Sequence, residues 1–299
     1  MSMPIHPGRD AVLRHGWLRA NKWLLLRRLS QLGIVGLFLI GPLYGIWWVK
    51  GSLSSSLTLD TLPLTDPLLV LQSLFAGHIP EMTALLGACY VVVFYLLVGG
   101  RVYCGWVCPV NPFSDLANAL RNRLQIADFR TVPRYTRYFL LAVIFLLALL
   151  SGSMVWEHLN PVSLINRGIA FLLTSALSGL LVIFLAELLL GRRIWCGHLC
   201  PSGAFYSLLN VKPLVRIDAV HREQCNHCMD CYAVCPESQV ISPALNAKAG
   251  ESVHSLIDSI NCLNCGRCID VCAEGVFKFS VAAAFTANLN LPDSREMKS

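Results

Sequence analysis

The run Cys225-Asn226-His227-Cys228-Met229-Asp230-Cys231-Tyr232-Ala233-Val234-Cys235-Pro236, echoed by Cys262, Cys265, Cys268 and Cys272, decides how the C-terminal part of this chain folds. Three thiolates separated by two residues reach three corners of one iron–sulfur cubane. The fourth, carried off by a longer spacing, reaches a second cubane. The spacing therefore predicts two [4Fe–4S] clusters, one held by Cys225, Cys228, Cys231 and Cys272 and the other by Cys262, Cys265, Cys268 and Cys235. Zinc sites use paired C-x2-C knuckles and need no third cysteine two residues on. Ala273 stands where the second run would end in proline; proline turns the chain but ligates nothing, so both clusters are still expected. Gly266 and Asn264 suit tight backbone wrapping, which ordinary turn chemistry explains equally well.

Upstream of this segment the chain is of a different kind. The 299 residues are 55 % hydrophobic and 14 % charged, too oily for a soluble domain of this length. Four apolar runs, at 29–48, 82–98, 138–156 and 169–190, are each read as long enough for a helix to cross a hydrocarbon core, which takes about 20 residues. The net charge of +6 does not point to nucleic acid, because the basic residues sit in short stretches beside apolar runs. Arg9, Arg14, Arg19, Lys22, Arg27 and Arg28 precede the first run. That flank is too long for a signal peptide, and no small-residue cleavage site follows. Arg101, Arg121, Arg123, Arg130, Arg134 and Arg137 crowd the second inter-run loop, whereas the first offers Lys50 and the third Arg167. Positive charge thus predicts both termini in the cytoplasm. Tyr44, Trp47, Trp48 and Trp156 fit an interfacial belt at the opposite ends.

Two stretches resemble each other: Arg101-Val-Tyr-Cys104-Gly-Trp-Val-Cys108-Pro109 and Arg193-Ile-Trp-Cys196-Gly-His-Leu-Cys200-Pro201. Each follows a pair of runs, so the architecture reads as a duplicated unit of helix, helix and cysteine loop. If the loops meet through this pseudosymmetry, Cys104, Cys108, Cys196 and Cys200 converge, enough for a metal site or a dithiol relay. The alternatives are that they shape helix ends or make assembly contacts. Cys89 reads as a small apolar side chain, Glu187 as an acid paired with Arg192 or Arg193 at the interface, and His78 and His158 as outer-loop residues able to accept a proton. The predicted fold class is an all-α polytopic membrane domain of four transmembrane helices with a C-terminal two-cluster ferredoxin-like α+β domain. Its parts are a cytoplasmic segment at 1–28, the membrane domain at 29–210, the ferredoxin-type domain at 211–280 and a tail at 281–299.

On several of these stretches the chain resembles the NapH family, the quinol dehydrogenase membrane component of periplasmic nitrate reductase systems. The resemblance runs over roughly 16–277. It rests on Ser54-Ser-Ser-Leu, Pro63-Leu-Thr-Asp-Pro, Trp106-Val-Cys-Pro with Asn111-Pro, Asn160-Pro-Val-Ser-Leu, Trp195-Cys-Gly-His and Cys228-Met-Asp-Cys. Ala273 agrees with it, since the family's second run also lacks the proline. The resemblance implies that membrane quinol, menaquinol or ubiquinol, is the electron donor. It also implies that electrons pass towards a periplasmic nitrate reductase complex with a companion periplasmic iron–sulfur protein. A membrane-bound copper reductase and an assembly factor for a redox enzyme are the alternatives. The absence of a phosphate loop, a dinucleotide fingerprint and a c-type haem run argues against an ATP-driven pump, a nicotinamide enzyme and a haem relay.

Overall fold

The computed structural model describes residues 7–126, 132–171, 174–211, 213–245 and 255–281. The tail assigned to 281–299 falls, but for Val281, outside them. Two short helices, Arg9–His15 and Trp17–Ala20, lead into α1, Lys22–Tyr44. Asn21, at the start of α1, makes no side-chain cap. The orphan N–H groups of Trp23 and Leu24 instead donate to the Asp270 carboxylate, at 3.1 and 2.8 Å. The ferredoxin segment thereby caps the first long helix, and charge on a helix N-terminus favours the contact.

After α1 the chain forms three strands, β1 (Val49–Gly51), β2 (Ser55–Thr58) and β3 (Leu62–Thr65), in an antiparallel sheet of that order. Leu57 pairs with Lys50 on one side and Pro63 on the other. Leu59 and Asp60, both left-handed, turn β2 into β3. This corrects the all-α expectation for 29–210. The Ser, Thr and Leu alternation of the stretch favours extended chain, and the sheet packs on helices instead of lying open.

Next come α2 (Pro67–Phe75), α3 (Met82–Val98), a π turn at Tyr103–Val107 and α4 (Val110–Arg123). The order recurs as α5 (Thr136–Ser151), a short helix Val155–Leu159, α6 (Pro161–Phe171), α7 (Thr174–Leu189), a π turn at Trp195–Leu199 and α8 (Pro201–Leu208). Asp66 caps α2 by accepting from Leu68 N–H at 3.1 Å, with Pro67 in the first turn. Asn160 accepts from Val162 N–H at 3.0 Å just ahead of Pro161. The duplicated unit therefore includes a capped helix ahead of each helix and cysteine loop. Both extra helices fold inwards. Leu68 packs with Tyr95, Leu141, Ala204 and Tyr206, and Val162 with Val110, Cys108 and Trp195.

Among the described residues one helical stretch, Lys22–Pro42, is long and apolar enough by itself to cross a membrane. The apolar helix Met82–Val98 has the bounds read for it, whereas Thr136–Ser151 and Ser178–Leu189 are shorter than the runs read at 138–156 and 169–190; all three are below the length of the first. The chain turns at Gly152, left-handed at φ 61°, so Trp156 belongs to the next short helix. Their outward faces nonetheless carry large apolar side chains exposed over their length, among them Phe94, Leu97, Phe139, Leu150, Val182 and Leu189.

The C-terminal segment is closed by β4 (Arg216–Asp218) and β5 (Lys278–Ser280), antiparallel with Ile217 opposite Phe279. Ile217, Val240, Ile241, Ile257, Val276 and Phe277 form its core together with the cysteines. The boundary assigned at Val211 falls between α8 and β4.

Candidate metal centres

Cys225, Cys228, Cys231 and Cys272 line one cavity of the C-terminal segment. Cys235, Cys262, Cys265 and Cys268 line another. Main-chain donors aim at these sulfurs, as with Val276 N–H to Cys272 Sγ at 3.4 Å. Burial and mutual repulsion push the thiols of Cys231 and Cys262 up to about 12, and burial likewise raises Cys235 and Cys268. Such thiols give up protons when they ligate iron, so loading is coupled to proton release. Soft sulfur donors ringed about a cavity, with amides pointing at them, suit an iron–sulfur core. The two quartets differ in exposure: Cys228 is at the surface, whereas Cys262, Cys265 and Cys268 are buried.

The buried quartet lies against the cysteine loops of the helical part. Trp106 Nε1 donates to the Asn264 carbonyl at 3.0 Å, and a Cβ on Gly105 would stand 3.3 Å from Cys265 Cβ. The first helix clasps the same loop, with Ser30 Oγ donating to the Trp106 carbonyl and Gln31 Nε2 to that of Gly105, both at 2.9 Å. Cys104, Cys108, Cys196 and Cys200 themselves face one cavity between the two repeats. Burial, reinforced by the neighbouring thiols, raises Cys108 and pushes Cys200 up to about 12.

Two carboxylates, Glu237 buried and Asp115 largely covered, bind these parts together. Glu237, fully buried, receives Arg101 at 2.7 Å and also Arg137 and Arg134. Burial alone would raise its carboxyl, but Arg101 and Arg137 hold it below the usual range. Arg137 goes on to the carbonyl of Gly197 at 3.1 Å and to Asn261 Oδ1 at 2.6 Å. Asp115 pairs with Arg193 and Arg267 at 2.8 Å and with Arg28. Here too the arginines outweigh burial and keep the carboxyl low.

Neither carboxylate stood out in the sequence. The available signal was the arginine three residues ahead of each loop's first cysteine, Arg101 and Arg193, read there only as part of a basic loop or repeat. Arg101, Arg121 and Arg137 are each about 1 % exposed, so these loop charges are internal connectors. Glu187, read as an interfacial acid, is also buried. His78 and His158 are exposed, the former bonded to the Gly152 carbonyl at 3.0 Å; Cys89 is exposed on α3.

Comparison with known proteins agrees with this layout. Residues 81–126 and 172–217, one stretch in each repeat, match a 4Fe-4S binding domain, and residues 224–276 match a 4Fe-4S dicluster domain. The chain is 47 % identical to the ferredoxin-type protein NapH of Escherichia coli K12, over 90 % of this chain and 93 % of that protein. It is 47 % identical to NapH of Haemophilus influenzae, over 93 % and 96 %. It is also 47 % identical, over 91 % and 93 %, to the methylamine utilization ferredoxin-type protein MauN of Methylorubrum extorquens. No solved structure matches it.

Proposed function

The chain belongs to the family of ferredoxin-type proteins that includes NapH and MauN, and from that premise we propose that it is a membrane-embedded electron carrier that takes electrons from quinol. The observation that carries this reading is the buried cysteine quartet, seated on the helical part through Trp106, Gly105 and the Arg101–Glu237 pair. A carrier docked so closely has its electron donor or acceptor inside the helical domain.

Cys225, Cys228, Cys231 and Cys272 would hold one [4Fe–4S] cluster, and Cys235, Cys262, Cys265 and Cys268 a second. Such clusters store single electrons, and quinol gives up two electrons and two protons on becoming quinone. The protein's own part is to fix the thiolates, aim amides at them and hold arginines nearby. Arg267 lies close to Cys265 and Cys235, where positive charge favours the reduced form. The surface quartet, through Cys228, is the natural point of exchange with another protein.

Four spans, centred on α1, α3, α5 and α7, account for the apolar side chains exposed along those helices, since lipid is the solvent in which such faces are stable. Helices of 16–17 residues fall near the lower limit for a hydrocarbon core. The inward-folded capped helices α2 and α6 bury Leu68, Val162 and Ile165 against protein, the condition under which interrupted chain is tolerated at that depth, while the strands stay half-exposed. On this reading both termini are cytoplasmic in a bacterial inner membrane.

For the terminal partner we propose a periplasmic nitrate reductase system with a companion iron–sulfur protein, from the likeness to NapH. The equal identity to MauN favours methylamine utilization as the second reading. Anaerobically purified protein treated with menaquinol or ubiquinol should show cluster reduction by electron paramagnetic resonance. Clusters that reduce with dithionite but with neither quinol would overturn the quinol assignment. Deletion of the gene should abolish quinol-dependent nitrate reduction; loss of growth on methylamine alone would select the second partner.

A further inference from the structure

A cavity of about 850 Å³ opens where the start of α1, the helix α4 and the ferredoxin segment meet. Leu24, Arg27 and Arg28 line it from α1, and Asp115, Asn118 and Asn122 from α4. Spacings of three and four residues set each trio on one face of its helix. Arg193, just ahead of the second cysteine loop, and Arg267 and Asp270, set between cluster cysteines, complete the walls. Arg27, Arg193 and Arg267 are buried at its floor, whereas Arg123 and Gln125 are exposed at its mouth.

Among the described residues five arginines line this cavity against two carboxylates, an excess of three positive charges. Asp115 is shared among four of them: it pairs with Arg28, pairs with Arg193 and Arg267 at 2.8 Å, and stands 4.0 Å from Arg27. Asp270 spends its oxygens on the N–H groups of Trp23 and Leu24. Arg27 is thus left over. It is 1 % exposed, and its Nε and Nη1 have no hydrogen-bond partner among the described residues. A buried guanidinium without an acceptor is costly, and a ligand bringing anionic oxygens removes that cost. The loaded ferredoxin quartet adds negative charge beyond Arg267, but no cluster cysteine lines this cavity, so the donors of Arg27 gain no acceptor from it.

We propose that this cavity binds a phosphate group, with Arg27 as its central donor and Arg28, Arg123 and Arg267 around it. Guanidinium forks match phosphate oxygens in pairs, and a phosphate brings one or two negative charges to offset the excess. The volume exceeds what a bare phosphate ion needs and leaves room for the group attached to it. On the proposed topology the cavity lies at the cytoplasmic end of α1, the depth at which anionic phospholipid headgroups meet basic side chains. A lipid headgroup and a soluble phosphate compound present the same chemistry to these arginines. Either would tie α1 and α4 to the ferredoxin segment. The inference depends neither on quinol as donor nor on the clusters.

The test is thermal unfolding of the full-length protein, delipidated in a phosphate-free detergent and titrated separately with phosphatidylglycerol, phosphatidylcholine and inorganic phosphate at constant ionic strength. A ligand that binds the folded state raises the melting temperature with its concentration. A rise with phosphatidylglycerol and with neither of the others assigns the site to anionic lipid, and a rise with inorganic phosphate assigns it to a soluble phosphate. Arg27→Gln should weaken the response at least about tenfold, because it removes charge-assisted hydrogen bonds to the ligand. Where that variant fails to accumulate, Arg123→Gln at the exposed mouth should weaken the response and decides in its place. The proposal is overturned by no rise with any of the three, by a rise with phosphatidylcholine that equals or exceeds that with phosphatidylglycerol, or by a response that the variant leaves unchanged. Quinol does not enter the measurement, so its outcome stands apart from the assignment of the electron donor.

Discussion

Glu237 follows a cluster cysteine by two residues, yet its partners come from the loop before Cys104 and the start of α5. With the carboxylate gone, Arg101 and Arg137 are left buried without a counter-charge, which costs about 3–5 kcal/mol. Glu237→Ala should therefore loosen the ferredoxin segment from the helices, seen as faster proteolysis between α8 and β4 and a lower melting temperature in detergent. Unchanged values for both would show that the pair does not hold the two parts together. Gly100 makes a different point. A Cβ there would lie 1.9 Å from the Tyr206 carbonyl oxygen, backbone that cannot swing aside. Gly100→Ala should cost about 2–3 kcal/mol or more, read as a fall in folded protein per membrane, whereas Gly36→Ala, with nothing near, should be neutral.

At the scale of elements, the start of α1 shows how one unit completes another. Helix N-termini need acceptors, and α1 takes both of its from Asp270, far along the chain. Asp270→Ala should cost about 1–2 kcal/mol, while Asp270→Asn should recover part of it through its remaining oxygen. Thermal unfolding of the two variants side by side checks this, and equal melting temperatures for Ala and Asn would rule out a capping role. Trp23, the second residue of α1, sits edge-on to Phe279 at 4.5 Å and to Trp106 at 6.2 Å, joining the first helix, the last strand and the first cysteine loop. The duplicated cysteine loops were legible because identical spacing survives in both copies. The capped helices Pro67–Phe75 and Pro161–Phe171 were less so. Asp-Pro and Asn-Pro signal a turn or a helix start, but nothing local says that the helix folds inwards.

For the whole molecule, the ferredoxin segment touches the start of α1 and both cysteine loops, so all of these share one side. Positive charge places that side in the cytoplasm on the proposed topology. A C-terminal alkaline phosphatase fusion should then be inactive and a green fluorescent fusion bright, because the phosphatase needs disulfides that form only in the periplasm. An active phosphatase fusion would invert the topology. A fusion in the loop at 77–80 should behave in the opposite way.

The chemistry of this protein was determined locally, and the sequence by itself carried it: eight cysteines at ferredoxin spacing, two duplicated loops and four apolar runs are all visible within short windows. The meeting of those parts was decided only in three dimensions. Arg101 finds Glu237, and Arg193 finds Asp115, across separations at which no periodicity survives. The sheet at 49–65 likewise declares its packing only once α3 lies beside it, where Gly87 lets Pro63 approach. A buried charge is stable only with its partner present, so the position of each arginine was a property of the assembled fold.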